Sequence, residues 1–206
     1  MISDPVRLAL IDDDAAVLDS LGLYLSRQDL DISCFSSGGE FLASVDRAAR
    51  YDCVVSDVRM PGISGLELLN YLVARGLRWP IIFITGHGDI DMAVKAMKAG
   101  AFDFIEKPFD ETYLLASIRK SLEHNRRQTR DAIEIEELRK RFHAMSARQR
   151  EVMELAASGL SSKEIGRRLD ISAKTVENHR AWVMERIGAR NLAELVRIAI
   201  KIERGG

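Results

Sequence analysis

The sequence is poor in cysteine, in proline and in long apolar runs, and each shortage closes off a class of protein. Only Cys34 and Cys53 occur among 206 residues, too few for a disulfide-framed secreted scaffold. Each falls in an apolar, strand-like run and is expected as a buried free thiol in a reducing cytoplasm. No stretch approaches the roughly 18 consecutive apolar residues of a membrane span, so no membrane partner is expected. Met1-Ile2-Ser3-Asp4-Pro5 has no basic segment leading into an apolar one, so no signal peptide is visible. All four prolines and 11 of the 13 aromatics lie in the first 121 positions, leaving Phe142 and Trp182 beyond. That scarcity argues against stacking on single-stranded nucleic acid by the second half.

What is present is a normal globular composition, 47% hydrophobic and 30% charged. The net charge of −1 conceals a split: 12 basic against 18 acidic residues up to position 121, then 18 against 13. An acidic half joined to a basic half, with the aromatics following the same boundary, predicts two domains with different partners.

The first half alternates strands and helices. Val6–Ile11, Ile32–Phe35, Cys53–Ser56, Ile81–Ile84 and Phe102–Ile105 read as short buried strands. Between and after them run helical stripes: Val17, Leu18, Leu21 and Leu25; Phe41, Leu42 and Val45; Leu66, Leu69 and Leu72; Ile90, Ala93, Val94 and Met97; Leu114, Leu115, Ile118 and Leu122. Five such repeats predict an α/β fold, a parallel sheet with helices on both faces. In these sheets ligand chemistry gathers beyond the carboxyl ends of the strands. Those ends are polar here: Asp12-Asp13-Asp14, Asp57, Thr85 and Lys107. Alone, the three aspartates could equally cap a helix, with Asp14 the best candidate for that role. Together, the carboxylates would repel one another without a cation, and all-oxygen donors favour a hard ion such as Mg²⁺. A carboxylate held there can attack a phosphoryl group, with the ammonium and hydroxyl holding its oxygens. No P-loop pattern occurs, so a nucleotide bound by this chain is not the expected donor.

These residues, with Ser56-Asp57-Val58-Arg59-Met60-Pro61-Gly62 and Lys107-Pro108, resemble the receiver domain of two-component response regulators over residues 6 to about 124. The resemblance implies a flavodoxin-like doubly wound (βα)5 fold in strand order 2-1-3-4-5 and phosphorylation by a sensor histidine kinase. It assigns Asp57 as phosphoacceptor, and Asp12, Asp13, Asp57 and the Arg59 carbonyl to Mg²⁺. Lys107, before a cis Pro108, would bind the phosphoryl group, and Thr85 and Phe104 would form a coupled switch pair. An alternative resemblance, of Leu10-Ile11-Asp12-Asp13-Asp14 to haloacid-dehalogenase-type phosphohydrolases, leaves Asp57 without a role.

Residues 122–141 hold 6 basic and 5 acidic residues and no Gly or Pro, and read as a solvated helix. Their apolar positions are too irregular for a sustained heptad; a mobile tether and a dimerising coil both stay open. Beyond them, Ser146, Ser161 or Ser162, and Ser172 are candidate N-caps, with Gly159 and Gly188 as stops, for four helices. Two short helices joined at Asp170-Ile171-Ser172 suggest helix-turn-helix DNA binding, although an ordinary bundle shares that spacing. At 100° per residue, Val176, Val183 and Ile187 fall within about 40° of one another as a core seam. Lys174, Glu177, Asn178 and Ala181 lie opposite, where they can meet base edges, while His179 and Arg180 flank the seam and suit phosphates or packing. Ser161, Lys163 and Thr175 lie near helix N-termini, where phosphates bind.

Arg148-Gln149-Arg150-Glu151-Val152, Gly159–Ile165 and Ser172–His179 resemble the LuxR-type helix-turn-helix over residues 145–200. The family more often has Leu-Thr and Arg-Glu where this chain has Met145-Ser146 and Arg148-Gln149, a departure confined to the scaffold. As a whole the chain resembles the FixJ/NarL-type regulators. Gly86-His87-Gly88-Asp89 and Glu106-Lys107-Pro108-Phe109 are nearest the FixJ branch. The expectation is a cytoplasmic transcription factor rather than an enzyme, with a receiver (1–124), a charged helical linker (125–141) and a DNA-binding domain (142–206). Phosphorylation would drive homodimerisation on double-stranded promoter DNA, with RNA polymerase as a further partner. A receiver acting only as a phosphorylation-independent dimerisation module is the competing expectation.

Overall fold

The computed structural model describes residues 5–46, 49–86 and 90–204. The motif positions His87, Gly88 and Asp89 lie outside the described residues. The chain divides into two compact units, residues 1–127 and 128–206.

In the first unit, β1 (Val6–Ile11), β2 (Leu30–Phe35), β3 (Cys53–Asp57), β4 (Ile81–Thr85) and β5 (Asp103–Glu106) form one sheet. All pairings are parallel, in the order β2-β1-β3-β4-β5. The helices between them are α1 (Ala15–Ser26), α2 (Gly38–Asp46), α3 (Gly65–Ala74) and α4 (Ile90–Ala99), and α5 (Glu111–His143) follows β5. The central strands β1, β3 and β4 are mostly apolar because the sheet is covered on both faces. Ala9, Ile11, Val54, Ile81 and Phe83 face one core with Phe41 and Val45 of α2, Leu68, Leu69 and Leu72 of α3, and Ala96 of α4. Leu8, Leu10, Val55, Ile82 and Ile84 face the other, with Leu21 and Leu25 of α1 and Leu114, Ile118 and Leu122 of α5.

Two apolar expectations fail. In α4 the stripe of Ile90, Val94 and Met97 does not enter the core: they are 80%, 44% and 49% exposed, and Ala96 is the buried residue. The inward side of α4 is made by Ala96 with Met92 and Ala99 packed against the same core, so the stripe of Ile90, Val94 and Met97 is turned to solvent. Cys34 is likewise exposed, and only Cys53 is buried. The reason is position: β2 is an edge strand, so its side chains are only partly covered. Burial pushes the Cys53 thiol up to about 12, the behaviour of an inert core thiol.

The second unit contains the residues of α5 from 128 on, then α6 (Ala147–Ala157), α7 (Ser162–Leu169), α8 (Ala173–Ile187) and α9 (Leu192–Arg204). Leu138 and Met145 join Val152, Met153, Ile165, Val176, Val183, Ile187 and Leu195 in its core. The charged stretch 122–141 is therefore helical throughout, and Leu138 within it is a core residue. Serine caps set the helix starts. Ser146 with Gln149 and Ser161 with Glu164 each form a reciprocal capping box, and Ser172 caps α8. Gly188 ends α8 in the left-handed region, φ 83°. The turn between α7 and α8 is tight enough that a Cβ on Gly166 would lie 2.7 Å from the Ile171 carbonyl oxygen. Among the described residues no helix is long and apolar enough to cross a membrane.

Candidate functional site

Parallel pairing brings the carboxyl ends of the strands to one edge, and the polar residues that follow them meet there. Ile11 pairs with Ser56 and Asp57 with Ile84, so Asp12 and Asp57 emerge level with each other and Thr85 one residue further along the same edge. Asp12 is 1% exposed, and a buried carboxylate needs partners. It has two: its Oδ1 accepts from the Asp14 backbone N–H at 2.9 Å, and its Oδ2 from Lys107 Nζ at 2.8 Å. Lys107 Nζ also reaches Asp57 Oδ2 at 3.4 Å, and Asp57 Oδ1 accepts from the Arg59 backbone N–H at 3.0 Å. The Lys107 N–H donates to the Thr85 carbonyl at 2.7 Å, and the Lys107–Pro108 peptide is cis. Partial burial pulls the Lys107 ammonium down, but its bond to Asp12 and the charges of Asp12 and Asp57 outweigh this and hold it above the usual lysine value.

Carboxylate oxygens of Asp12, Asp13 and Asp57 lie within 4.8 Å of one another. Three carboxylates against one ammonium leave the rim negative. The all-oxygen donor set, with Asp13 exposed and Asp57 half-buried, fits a hard divalent cation. Asp14 does not join the cluster; it caps α1 by accepting from the Ala16 N–H. Thr85 is buried at the end of β4. Phe104 is half-buried on β5, opposite Phe83 in register, and packs on the same core as Phe83. Gly65, which belongs to none of the motifs, also shapes this rim. A Cβ on Gly65 would come within 2.5 Å of the Asp57 carbonyl oxygen, so only glycine lets α3 start this close to the acidic loop. Its one trace in the sequence is its place directly after Ser64, which caps α3 by accepting from the Glu67 N–H.

In the second unit the seam of α8 is buried as spaced: Val176 and Val183 are 0% exposed and Ile187 1%. Lys174, Glu177, Asn178 and Ala181 are exposed on the same helix, and Thr175, His179 and Arg180 are intermediate. Lys174 Nζ bonds Glu177 at 3.3 Å, and Arg180 donates to Ser162 Oγ at 3.3 Å. Lys163 is exposed in the first turn of α7. Ser161 Oγ is occupied by capping: it donates to Glu164 Oε2 at 2.6 Å and accepts from the Glu164 N–H at 3.3 Å.

An acidic cluster at strand ends, followed along the chain by a helix-turn-helix with an exposed polar face, defines a receiver joined to a DNA-binding module. Family comparison agrees on both parts. Residues 8–119 match the response regulator receiver domain, and residues 143–199 match the bacterial regulatory proteins of the luxR family. The chain belongs to the two-component response regulators that carry a LuxR-type DNA-binding domain. It is 46% identical to the transcriptional regulatory protein FixJ of Azorhizobium caulinodans, over 93% of this chain and 90% of that protein. It is 41% identical to the response regulator protein TodT of Pseudomonas putida, over 94% of this chain and 85% of that one. Among solved structures, StyR superposes with a TM-score of 0.74 at 37% identity, covering 96% of this chain and 99% of that chain. Full-length FixJ from B. japonicum gives 0.61 at 40% identity, covering 98% and 99%. A receiver implies a kinase partner and a LuxR-type domain implies DNA. Neither matching family is a phosphohydrolase.

Proposed function

We propose that Asp57 accepts a phosphoryl group from a sensor histidine kinase and that this switches dimerisation and promoter binding. The observation that carries the reading is Lys107 Nζ bonded to both Asp12 and Asp57 at the edge of a three-carboxylate cluster. An Asp57 carboxylate oxygen forms the new bond to phosphorus while the P–N bond of the donor phosphohistidine breaks, and the departing imidazole takes up a proton. Lys107 sits where it can pair with the incoming phosphoryl oxygens. Asp12, Asp13, Asp57 and the Arg59 carbonyl would hold Mg²⁺, which neutralises charge on the phosphoryl oxygens when bound. Once phosphorylated, Thr85 turns toward the new group and Phe104 turns inward beside it.

The change is read on the face of α4, β5 and α5, where Ile90, Val94, Met97 and Tyr113 are already exposed; covering that apolar surface favours a homodimer. Residues 1–124 serve as receiver, 125–141 as connecting helix and 142–206 as the DNA-binding part. Two copies then set α8 on neighbouring half-sites, with Lys174, Glu177, Asn178 and Ala181 toward bases. Lys163, Thr175, His179, Arg180 and the start of α7 at Ser161 face the backbone. RNA polymerase is the downstream partner, in the cytoplasm, and the protein is a switch rather than a turnover enzyme. Incubation with acetyl phosphate and Mg²⁺ tests the core of this. Wild type gains one phosphoryl group by intact mass, and Asp57→Asn gains none; equal labelling of the two overturns the acceptor assignment.

A further inference from the structure

The recognition face described so far leaves a tryptophan unused. Trp182 is 40% exposed on α8, although indole is among the costliest side chains to leave in water. It takes no part in the apolar core of the second unit, which α8 reaches through Val176, Val183 and Ile187, with Met184 packed against it. Lys174, Asn178, Trp182 and Arg186 follow one another at four-residue intervals, so they form a single ridge along the helix. Trp182 therefore adjoins Asn178 on one side and Arg186 on the other. Arg186 is exposed and holds its guanidinium 5.9 Å from the indole centroid, a cation–π arrangement that keeps both groups at the surface.

An aromatic ring between an amide and a guanidinium suits the wall of a DNA major groove. The ring offers an apolar face for deoxyribose or a thymine methyl, and its N–H is a donor for a phosphate oxygen. The guanidinium matches a second phosphate. Charge favours this occupant: the ridge carries Lys174 at one end and Arg186 at the other, in the basic half of the chain. We infer that Trp182 and Arg186 extend the DNA-contacting surface of α8, the indole closing on the groove wall and Arg186 pairing with a phosphate. The inference rests on the DNA-binding reading of α8.

The test uses the full-length chain and a duplex enriched by that chain from a random-sequence pool, with acetyl phosphate and Mg²⁺ present. Trp182→Ala is expected to weaken binding about tenfold with little change in thermal midpoint, because the side chain lies outside the core. Trp182→Phe should recover part of the loss and leave the salt dependence as in wild type. Arg186→Ala should flatten the slope of log affinity against log salt by about 1. The Trp182 emission, taken as wild type minus Trp182→Phe, should become protected from acrylamide when the duplex is added. If Asn178→Ala weakens binding while both Trp182 variants bind as wild type and the indole stays quenchable, the inference fails and the DNA-binding reading survives. If no duplex is enriched, that reading fails and takes the inference with it. Protection that depends on protein concentration without DNA overturns the inference in favour of a contact between copies.

Discussion

The two units place their chemistry in opposite ways. In the first, the reactive groups are gathered: Asp12 is almost fully buried, and one lysine bonds two carboxylates contributed by different strands. In the second, the polar groups are spread along the exposed side of one helix whose other side is core. A pocket for a small charged group needs converging side chains and low solvent access. A surface for a long polyanion needs a straight, projecting row. The first is vulnerable to loss of any member, whereas the second should degrade step by step.

The contrast can be attacked in order of expected size. Leu138→Ala removes a 93%-buried side chain from the stretch of α5 that looks like linker. It should destabilise the second unit by about 2–5 kcal/mol, while Ile133→Ala, at a 57% exposed site, stays within about 0.5 kcal/mol. Urea unfolding followed by far-ultraviolet circular dichroism would distinguish them, and equal costs would show that Leu138 is not core. Lys107→Met strands the buried Asp12 carboxylate and should cost the first unit about 1.5–3 kcal/mol; wild-type stability in the same assay would mean the bond contributes nothing. Gly166→Ala puts a methyl 2.7 Å from the Ile171 carbonyl oxygen. A loss of about 1–3 kcal/mol is expected from that overpacking, with duplex binding reduced in parallel.

Smaller effects come from the helix ends. Ser161→Ala should cost about 1 kcal/mol through the lost cap; a greater fall in duplex affinity than in stability would reveal a direct DNA contact as well. The Ser161 hydroxyl and N–H hold the Glu164 carboxyl below its usual value. A depressed folded pKa adds stability above the unfolded pKa, and that stability fades as pH falls through the folded value. An acid titration of the wild type should thus show a shallow extra loss that is smaller in Ser161→Ala, which keeps the N–H but loses the hydroxyl. Superimposable acid limbs would count against the capping box.

Much of this was legible because it is local. Serine caps, glycine stops and strand ends depend on a few consecutive residues, and the acidic cluster with its lysine is ordered along the chain by a regular parallel sheet. Sidedness was harder. Ile90, Val94 and Met97 form a convincing apolar stripe, yet Ala96, Met92 and Ala99 are the residues packed on the core, and spacing alone does not say which of two apolar sides turns inward. Cys34 looks like a core residue until β2 is known to be an edge. Leu138 hides among charges because the apolar residues around it, Ile133, Ile135 and Phe142, are too irregularly spaced to mark a sustained heptad. At the site, Asp12, Asp13, Asp57 and Lys107 were readable from residue type and order. Gly65 was not, since its role is to be absent where a Cβ would collide.

The uneven exposure of the two cysteines has a practical side. Cys53 lies buried beside Ser121 Oγ with its thiol pushed up to about 12, while Cys34 stands open on the outer strand. Partial desolvation by its neighbours, then the charge of Asp19, raises the Cys34 thiol, so alkylation should be slow at neutral pH and faster in mild alkali. The native chain thus carries one addressable thiol. A fluorophore or spin label attached there would report on the receiver with no residue replaced.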